Sequence, residues 1–409
     1  MSNRDSLIRA EELKKQTEEY VEAKKSISSG LAEIKINEQN SFKKRILNYF
    51  GAVDTDWDSY LWQLKNSIKR VDVLKDLLEL SEEEINDILK IEKKYRWNVS
   101  PYYLSLMKNN RLDPIRLQAL PLIEEEDLHG VLDPMDEEHT NPAGSVTRRY
   151  PDRLIINVTN MCAMYCRHCQ RRRKIGGFDA HQSIEYIDES IQYVRDNPEI
   201  RDILITGGDT LMLSDDKLEH ILKSLREISH VEIIRIGTRT PVTLPQRITV
   251  SLAKMISKYH PIYMNTQFNH PREITPEVMT ACNILSEAGI VLGNQAVLLN
   301  GINNDKFVME RLNHLLLMVR IRPYYIFHAK NVKGTHHFKT SIDDGLEIME
   351  YLRGRTSGLA IPTYIVNSPK GNGKVPILPN YISKTEKGYM LRTWENKFID
   401  YEDEPTRKI

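Results

Sequence analysis

From Arg153 onward, short apolar runs rich in β-branched residues alternate with amphipathic segments of helical periodicity. A strand, a crossover helix and a second strand place both strands parallel in one sheet, so repetition of this unit commits the chain to an α/β architecture. The pattern predicts strands at 154–158, 203–206, 232–237, 262–268, 291–299 and 324–327. It predicts helices near 183–196, 215–228, 249–259, 276–288, 305–319 and 341–353.

These six units stop two short of a complete eight-stranded barrel. An incomplete barrel and an open doubly wound sheet both satisfy the pattern. The helix predicted near 276–288 has a strong start signal, because Thr275 stands at the N-cap and Pro276 at the first helical position.

The chain outside this alternating core divides into further regions. Residues 1–50 are rich in Lys and Glu and predict a helical extension, whose polar face is either solvated or contacts another subunit. Residues 51–145 predict a helical N-terminal domain that ends in an irregular connector rich in Pro and acidic residues. Residues 146–355 form the predicted core, and residues 356–409 form a C-terminal extension with a Gly-rich turn.

Composition argues against several classes of protein. Lys+Arg and Asp+Glu are both 57, so the formal net charge is zero, and nothing favours a nucleic-acid partner. No apolar run reaches the roughly 18 residues of a membrane span. The charged N-terminus lacks the apolar region of a secretory signal. Cys occurs 4 times, too few for a disulfide scaffold, and we expect a cytoplasmic protein.

Cys162, Cys166 and Cys169 form the pattern CxxxCxxC directly after the first predicted strand. Three thiolates on one loop can hold three irons of a [4Fe–4S] cluster and leave the fourth iron for an exogenous ligand, whereas ferredoxin clusters use four Cys. A zinc site normally takes four ligands, and the candidates for a fourth are His168, wedged between two of the Cys, and Cys282, in a distant predicted helix. The triad therefore favours an iron–sulfur cluster, with zinc as the alternative.

This triad, followed by Gly207-Gly208-Asp209 at the end of the second strand, resembles the radical S-adenosylmethionine superfamily. From about Trp57 to about Ile382 the chain is similar to the lysine 2,3-aminomutase family, in the motifs CAMYCRHCQRRR, LITGGDTLMLSD, IRIGTRTPVTLPQRIT, FNHPREIT and RGRTSGLAIPTYIV. The resemblance implies an incomplete (β/α)6 barrel with a helical N-terminal region. It also implies an isomerase, a radical aminomutase that uses a [4Fe–4S] cluster, S-adenosylmethionine and pyridoxal 5′-phosphate (PLP).

The resemblance assigns roles to individual positions beyond the three Cys that hold the cluster. Lys374 in PKGNGK is implied to form the Schiff base with PLP, and Arg149 and Arg153 to bind the phosphate of that cofactor. Arg171 is implied to bind the α-carboxylate of the substrate. Contacts to S-adenosylmethionine are implied for Gly207, Gly208, Asp209, Arg239 and Gln295.

The positions of the polar residues support one site independently. Gly207, Gly208, Arg239, Gln267, Gln295 and Lys330 all fall at or near the carboxyl ends of predicted strands. This is the end at which βα barrels carry their chemistry. We therefore expect these side chains at one rim of the barrel.

Two positions suggest the substrate. Lysine-acting members of the family bind the distal ammonium of lysine with two Asp, and this chain has Lys330 and Asn367 at those positions. Such a pair repels an ammonium and favours a carboxylate, and the same exchanges are typical of the glutamate-acting members. We expect conversion of L-glutamate to β-glutamate. The alternatives are a lysine 2,3-aminomutase, a related β-lysine-forming radical enzyme or, in another class, a non-catalytic iron–sulfur or zinc protein.

The resemblance also implies partners. They are an amino-acid substrate, an electron donor such as a reductase, a flavodoxin or a ferredoxin, and other copies of the chain in a homo-oligomer. Lysine-acting members bind zinc at a subunit contact through a C-terminal cluster of Cys. This chain has no Cys after Cys282, so no such zinc site is expected.

Overall fold

The fold is that of a computed structural model, which describes residues 3–175, 178–386 and 388–402. Its strands are β1 (Val146–Arg148), β2 (Arg153–Thr159), β3 (Asp202–Gly207), β4 (Ile233–Gly237), β5 (Ile262–Thr266), β6 (Val291–Leu298), β7 (Arg322–His328), β8 (Thr363–Asn367), β9 (Lys374–Pro376), β10 (Ile382–Lys384), β11 (Tyr389–Arg392) and β12 (Phe398–Tyr401). The domain limits predicted at residues 1 and 409 lie outside the described residues.

The α-helices divide between the N-terminal region and the core. Those before the sheet are α1 (Asn3–Ser26), α2 (Glu33–Phe50), α3 (Asp54–Trp57), α4 (Tyr60–Lys65), α5 (Val71–Leu77), α6 (Glu82–Ile91) and α7 (Pro101–Leu104). Those of the core are α8 (Arg172–Ile175), α9 (Ile184–Asp196), α10 (Asp215–Arg226), α11 (Thr240–Thr243), α12 (Val250–Ser257), α13 (Pro276–Glu287), α14 (Lys306–Met318) and α15 (Ile342–Leu352).

The central feature is a nine-stranded sheet in which β1 to β9 follow one another in chain order. Strands β2 to β8 run parallel, and β1 and β9 are antiparallel strands at the two edges. A doubly wound sheet would reverse its strand order at a switch point, and this sheet does not. Within the described residues no pairing joins β1 to β9, so the incomplete barrel is confirmed.

The six predicted strands are β2 to β7, and their bounds agree to within about two residues. The six predicted βα units are confirmed, because each of β2 to β7 is followed by a helix. A seventh parallel strand, β8, extends the sheet beyond them and pairs with β7, with Tyr325 opposite Thr363. The sequence pattern placed the residues of β8 in the C-terminal extension and not in the sheet. The βα period ends there, since β8 is followed by the hairpin strand β9 and not by a helix.

The core helices form where a capping residue precedes an apolar face. In α10, Leu218, Ile221, Leu222 and Leu225 lie at helical spacing and are buried, so this face covers the sheet. An N-cap of this kind contributes about 1 kcal/mol. Side-chain oxygens cap α9, α10, α12, α13, α14 and α15 at Ser183, Ser214, Thr249, Thr275, Asp305 and Ser341.

The N-terminal extension is two helices rather than one. Its break lies at Gly30, whose N–H donates to the carbonyl of Pro271 at 3.2 Å. A Cβ at Gly30 would lie 2.4 Å from the carbonyl oxygen of Ile274, so only glycine allows this approach. Helix α1 contacts α14 through Tyr20 and His314, 3.1 Å apart. No helix in the described part of the chain is both long and apolar enough to cross a membrane.

The β8–β9 hairpin ends the main sheet. Asn367 stands directly opposite Lys374 in its antiparallel ladder, so both side chains project from the same face. The connecting loop, residues 368–373, contains Gly371 and Gly373 at φ 71° and 104°, a conformation that glycine adopts without strain. Strands β10 to β12 then form a separate three-stranded antiparallel sheet.

Candidate active site

One cavity of about 790 Å³ runs along the inner face of the parallel sheet. Loops that are distant in sequence converge on it, because the carboxyl ends of parallel strands meet at one rim. The structure thereby brings all the predicted site residues into one place. The lining includes Cys162, Cys166, Cys169, Arg149, Arg153, Arg171, Gly207, Gly208, Asp209, Arg239, Gln295, Lys330, Asn367 and Lys374.

The loop that carries the three Cys follows β2 and is held by buried polar contacts. The side-chain amide of Asn98 donates to the carbonyls of Cys162 and Ala163, at 3.4 and 3.3 Å. Buried Arg167, between the second and third Cys, donates to both oxygens of Glu125, at 2.8 and 2.5 Å. Because breaking such a buried pair leaves an unpaired charge, these contacts fix the course of the loop.

The three thiols form a donor set that fits iron. Cys166 Sγ accepts a hydrogen bond from Arg239 Nη1 at 2.7 Å, and Cys169 Sγ accepts one from the backbone N–H of Arg171 at 3.4 Å. Burial raises the pKa of the free Cys169 thiol to about 11, so metal binding there must release a proton. Among the described residues, no three His, Cys, Asp or Glu converge on a single metal ion. All three thiols line the same cavity, and thiolates are the ligands of [4Fe–4S] clusters, so the triad fits a cluster.

Gly207 and Gly208 allow the end of β3 to approach the Cys loop. A Cβ on Gly207 would lie 2.2 Å from the carbonyl oxygen of Thr159, and a Cβ on Gly208 would lie 2.4 Å from that of Met161. Real Cβ atoms do not come so close to backbone oxygens. The two glycines therefore serve the contact between strand and loop, while their contact with S-adenosylmethionine stays a prediction.

We expect Gly208→Ala to destabilise the Cys loop. The added methyl meets backbone rather than a flexible side chain, and overpacking of this kind costs about 1–3 kcal/mol. The variant should bind less iron per chain, and its melting temperature should fall. The control is Gly358→Ala, because a Cβ at Gly358 has nothing within 4 Å. Equal iron content in the two variants would contradict this explanation.

Asp209 accepts three hydrogen bonds from the protein. Its carboxylate accepts from the hydroxyl of Thr238 at 2.5 Å and from the backbone N–H groups of Leu211 and Arg239, at 3.1 and 2.7 Å. Through these bonds Asp209 joins the end of β3 to the end of β4. Its predicted contact with S-adenosylmethionine is untested.

Arg239 supports the cluster loop from β4. Besides Cys166, its guanidinium donates to Gln118 Oε1 at 2.5 Å and to Glu273 Oε1 at 2.8 Å, and its Nε donates to the carbonyl of Gln267 at 3.1 Å. Most of its N–H groups therefore already have partners. Gln295 lines the same cavity from β6, where the pairing with β7 shifts register.

Lys374 lies among cations at the inner face of the sheet. Partial burial, and then the charges of Arg235, Arg153 and Arg149, lower the pKa of Lys374 to about 8. Its Nζ lies 4.9 Å from the ring centre of Tyr325. A neutral amine is the nucleophilic form, so this environment suits a lysine that bonds to an aldehyde.

Arg235, which lies in β4, also lines the cavity and was not predicted from the sequence. Its Nε donates to Asp202 at 2.7 Å, which fixes the guanidinium at the cavity wall. The signal was present, because an Arg within the otherwise apolar strand IIRIG is unusual. Arginines bind phosphate oxygens in pairs. Arg149, Arg153 and Arg235 around Lys374 therefore fit the phosphate of PLP.

The two cations directly after Cys169-Gln170, Arg171 and Arg172, pair with different buried carboxylates. Arg172 joins Arg167 on Glu125, so Arg172 has a structural role. Arg171 Nε donates to Glu137 at 3.0 Å, and Arg171 Nη1 donates to the carbonyl of Gly207 at 3.2 Å. The side chain of Arg171 thus lies between the connector and β3 and borders the cavity.

Lys330 and Asn367 line the same cavity as the Cys loop. Burial, and then the charges of Arg171, Lys374 and Arg149, lower the pKa of Lys330 to about 7. Lys330 Nζ and Lys374 Nζ each lie 5.5 Å from the ring centre of Phe327. Asn367 Nδ2 is buried and has no hydrogen-bond partner. The pair offers a cation and a free amide donor to one ligand.

Comparison with known proteins matches two family descriptions to the chain. The radical SAM superfamily matches residues 156–309, and lysine-2,3-aminomutase matches residues 349–408. The chain is 59% identical over 409 residues to a glutamate 2,3-aminomutase of Clostridioides difficile, covering 99% of this chain and 96% of that protein. It is 47% identical over 372 residues to an L-lysine 2,3-aminomutase of Fusobacterium nucleatum, covering 90% of this chain and 86% of that protein.

Proposed function

We propose a substrate for this chain, which belongs to the lysine 2,3-aminomutase family of radical S-adenosylmethionine enzymes. In this proposal it moves the α-amino group of L-glutamate to the β-carbon. As a member of this family, the chain is an isomerase that uses a [4Fe–4S] cluster and S-adenosylmethionine. The choice of glutamate and the use of PLP are the proposed parts. The similar glutamate 2,3-aminomutase supports the first of these.

One observation carries the choice of glutamate. Asn367 Nδ2 is a buried donor without a partner, and Lys330 adds positive charge at the same cavity. A buried unpaired donor is costly until an acceptor binds it. A side-chain carboxylate supplies that acceptor and an ion pair with Lys330. A lysine ammonium would instead be repelled by the cationic form of Lys330 and would leave the Asn367 amide donor without an acceptor.

The remaining residues fit the other end of the substrate and the cofactors. In this proposal Arg171 binds the α-carboxylate, Lys374 bonds to the PLP aldehyde, and Arg149, Arg153 and Arg235 bind the PLP phosphate. When bound, the cluster and S-adenosylmethionine supply a 5′-deoxyadenosyl radical, and PLP supplies a conjugated ring attached to the migrating amine. The chain itself orients these groups and encloses them in the cavity.

An anaerobic assay that offers L-glutamate, L-lysine and L-aspartate in parallel tests the proposal. We expect β-glutamate as the main product, with lysine a poor substrate. Aspartate should react poorly, because its carboxylate is one methylene short of Lys330 and Asn367. Turnover of lysine above glutamate would overturn the choice of substrate and leave the family intact.

The affinity for glutamate should fall as pH rises above about 7. Lys330 has its pKa lowered to about 7, so it is a cation below that pH and neutral above it. A carboxylate binds the cationic form, and the dissociation constant should rise by up to about tenfold per pH unit. L-glutamine, which lacks the side-chain carboxylate, is the control for titration elsewhere in the site. An identical pH profile for both amino acids would contradict the role of Lys330.

A further inference from the structure

Glu137 is a buried carboxylate in the irregular connector and is 5% exposed. It accepts a hydrogen bond from Arg171 Nε at 3.0 Å, and it lies 3.3 Å from Lys174 Nζ and 3.5 Å from Arg149 Nη2. Burial alone raises the pKa of Glu137, and the charges of Arg171, Lys174 and Arg149 outweigh that effect and lower it to about 2. The group is therefore ionised at any pH at which an enzyme is assayed.

The same stretch of connector also contacts the loop that leads to Lys374. The N–H of Lys370 donates to the carbonyl of Pro134 at 3.1 Å. A Cβ on Gly371 would lie 2.8 Å from the carbonyl oxygen of Met135, so loop and connector touch there without space for a side chain. Residues 133–137, which we name the bridging segment, thus contact both the Arg171 side chain and the 368–373 loop.

This double contact has a chemical reason. The α-carboxylate and the α-amino group of an amino acid are attached to the same carbon. A site that binds the carboxylate through Arg171 and directs the amine to the group held by Lys374 must fix these two side chains relative to each other. Productive reaction tolerates little error in such placement. A single short segment that contacts both sides can supply that constraint.

We propose that Glu137 is a positioning residue, which holds Arg171 in register with Lys374 so that the α-carboxylate and the α-amino group of the substrate are bound together. The inference rests on the proposed function for the identity of the amino acid. Glu137 acts through Arg171 and need not touch the substrate. Its negative charge also offsets the repulsion between Arg171, Arg149 and Lys174, which would otherwise move apart.

Binding of three ligands to the anaerobic holoenzyme, with the cluster oxidised so that no turnover occurs, tests this role. The probes are L-glutamate, L-isoglutamine, which carries an amide in place of the α-carboxylate, and L-glutamine, which carries an amide in place of the side-chain carboxylate. In Glu137→Gln we expect glutamate to bind about tenfold more weakly, because a charge-assisted contact is misplaced. Its preference for glutamate over isoglutamine should shrink, while its preference for glutamate over glutamine should stay unchanged.

Glu138→Gln is the matched control, because Glu138 is the next residue, has a side chain 76% exposed and lies 3.9 Å from Arg173. It should retain both preferences. A second variant, Glu137→Asp, keeps the negative charge and serves if Glu137→Gln fails to retain PLP. Glu137→Asp must retain both PLP and the preference for glutamate over isoglutamine. Loss of both properties in Glu137→Asp, or an unchanged preference over isoglutamine in Glu137→Gln, would overturn the proposal.

The design separates this inference from the proposed function. If the unaltered enzyme binds glutamate no better than glutamine, the choice of glutamate fails. The comparison between an amino acid and its α-amide still tests Glu137 in that case, since every α-amino acid carries an α-carboxylate. It would then be repeated with L-lysine and L-lysinamide.

Discussion

Cys166→Ala should abolish aminomutase turnover while PLP stays attached to Lys374. A radical S-adenosylmethionine cluster needs a protein thiolate on three of its irons, and the variant has only two of the three thiols. Enzymes generally accelerate their reactions by about 10⁶-fold or more over the uncatalysed rate. Without the radical step the residual rate should therefore lie at the background of the assay. The PLP site should survive, because Lys374 lies on β9 and not on the Cys loop.

The measurements are iron content, the electron paramagnetic resonance signal of the reduced cluster, and the visible absorbance of bound PLP. Cys282→Ala is the control, because Cys282 is buried in α13 and is remote from the triad in sequence. It should lower the melting temperature and leave the iron content unchanged. Turnover retained by Cys166→Ala would exclude the radical mechanism.

The double substitution of Lys330→Asp with Asn367→Asp should invert the charge preference of the substrate pocket. The glutamate carboxylate would then face two carboxylates, and like charges at such close range cost several kcal/mol. Since about 1.4 kcal/mol corresponds to a factor of ten, kcat/KM for glutamate should fall at least about 100-fold. Binding of L-lysine should improve, since an ammonium then meets two acceptors.

Cofactor absorbance and iron content of the double variant should match those of the unaltered enzyme. Lys333→Asp is a suitable control, because Lys333 is near Lys330 in sequence but does not line the cavity. It should change glutamate turnover little. A double variant that still prefers glutamate to lysine would show that specificity lies elsewhere in the cavity.

The core of the fold could be predicted from sequence because its signals are local. Apolar runs mark β2 to β7, and capping residues mark the starts of the helices between them. Strand β8 was not recognised as part of the sheet, since membership in a sheet depends on a neighbour and not on the strand itself. The break near Gly30 was missed for a similar reason, because its partners Pro271 and Ile274 lie more than two hundred residues later.

Among the site residues, too, some could be predicted from sequence and others could not. Residues at the ends of strands could be placed together in advance, because parallel strands end at one rim. Glu137 was missed because it lies in an acidic, irregular connector where no periodicity distinguishes one carboxylate from its neighbours. Its importance appears only when Arg171 and the 368–373 loop are brought beside it. Asp209 differs again, since its position was predicted, while its three hydrogen bonds to protein donors were not visible in sequence.

The hairpin that sets Asn367 opposite Lys374 restricts how this part of the chain can evolve. Successive residues of a strand alternate between faces, so a shift of one residue in the pairing would turn one of the two side chains away from the cavity. An insertion or deletion of one residue that shifts this pairing would therefore remove the proposed substrate contact or the proposed PLP lysine from the site. Substrate range can change here by exchange of the residue at position 367, but not by a change in register. The spacing between these two positions should consequently stay constant among enzymes of different substrate preference.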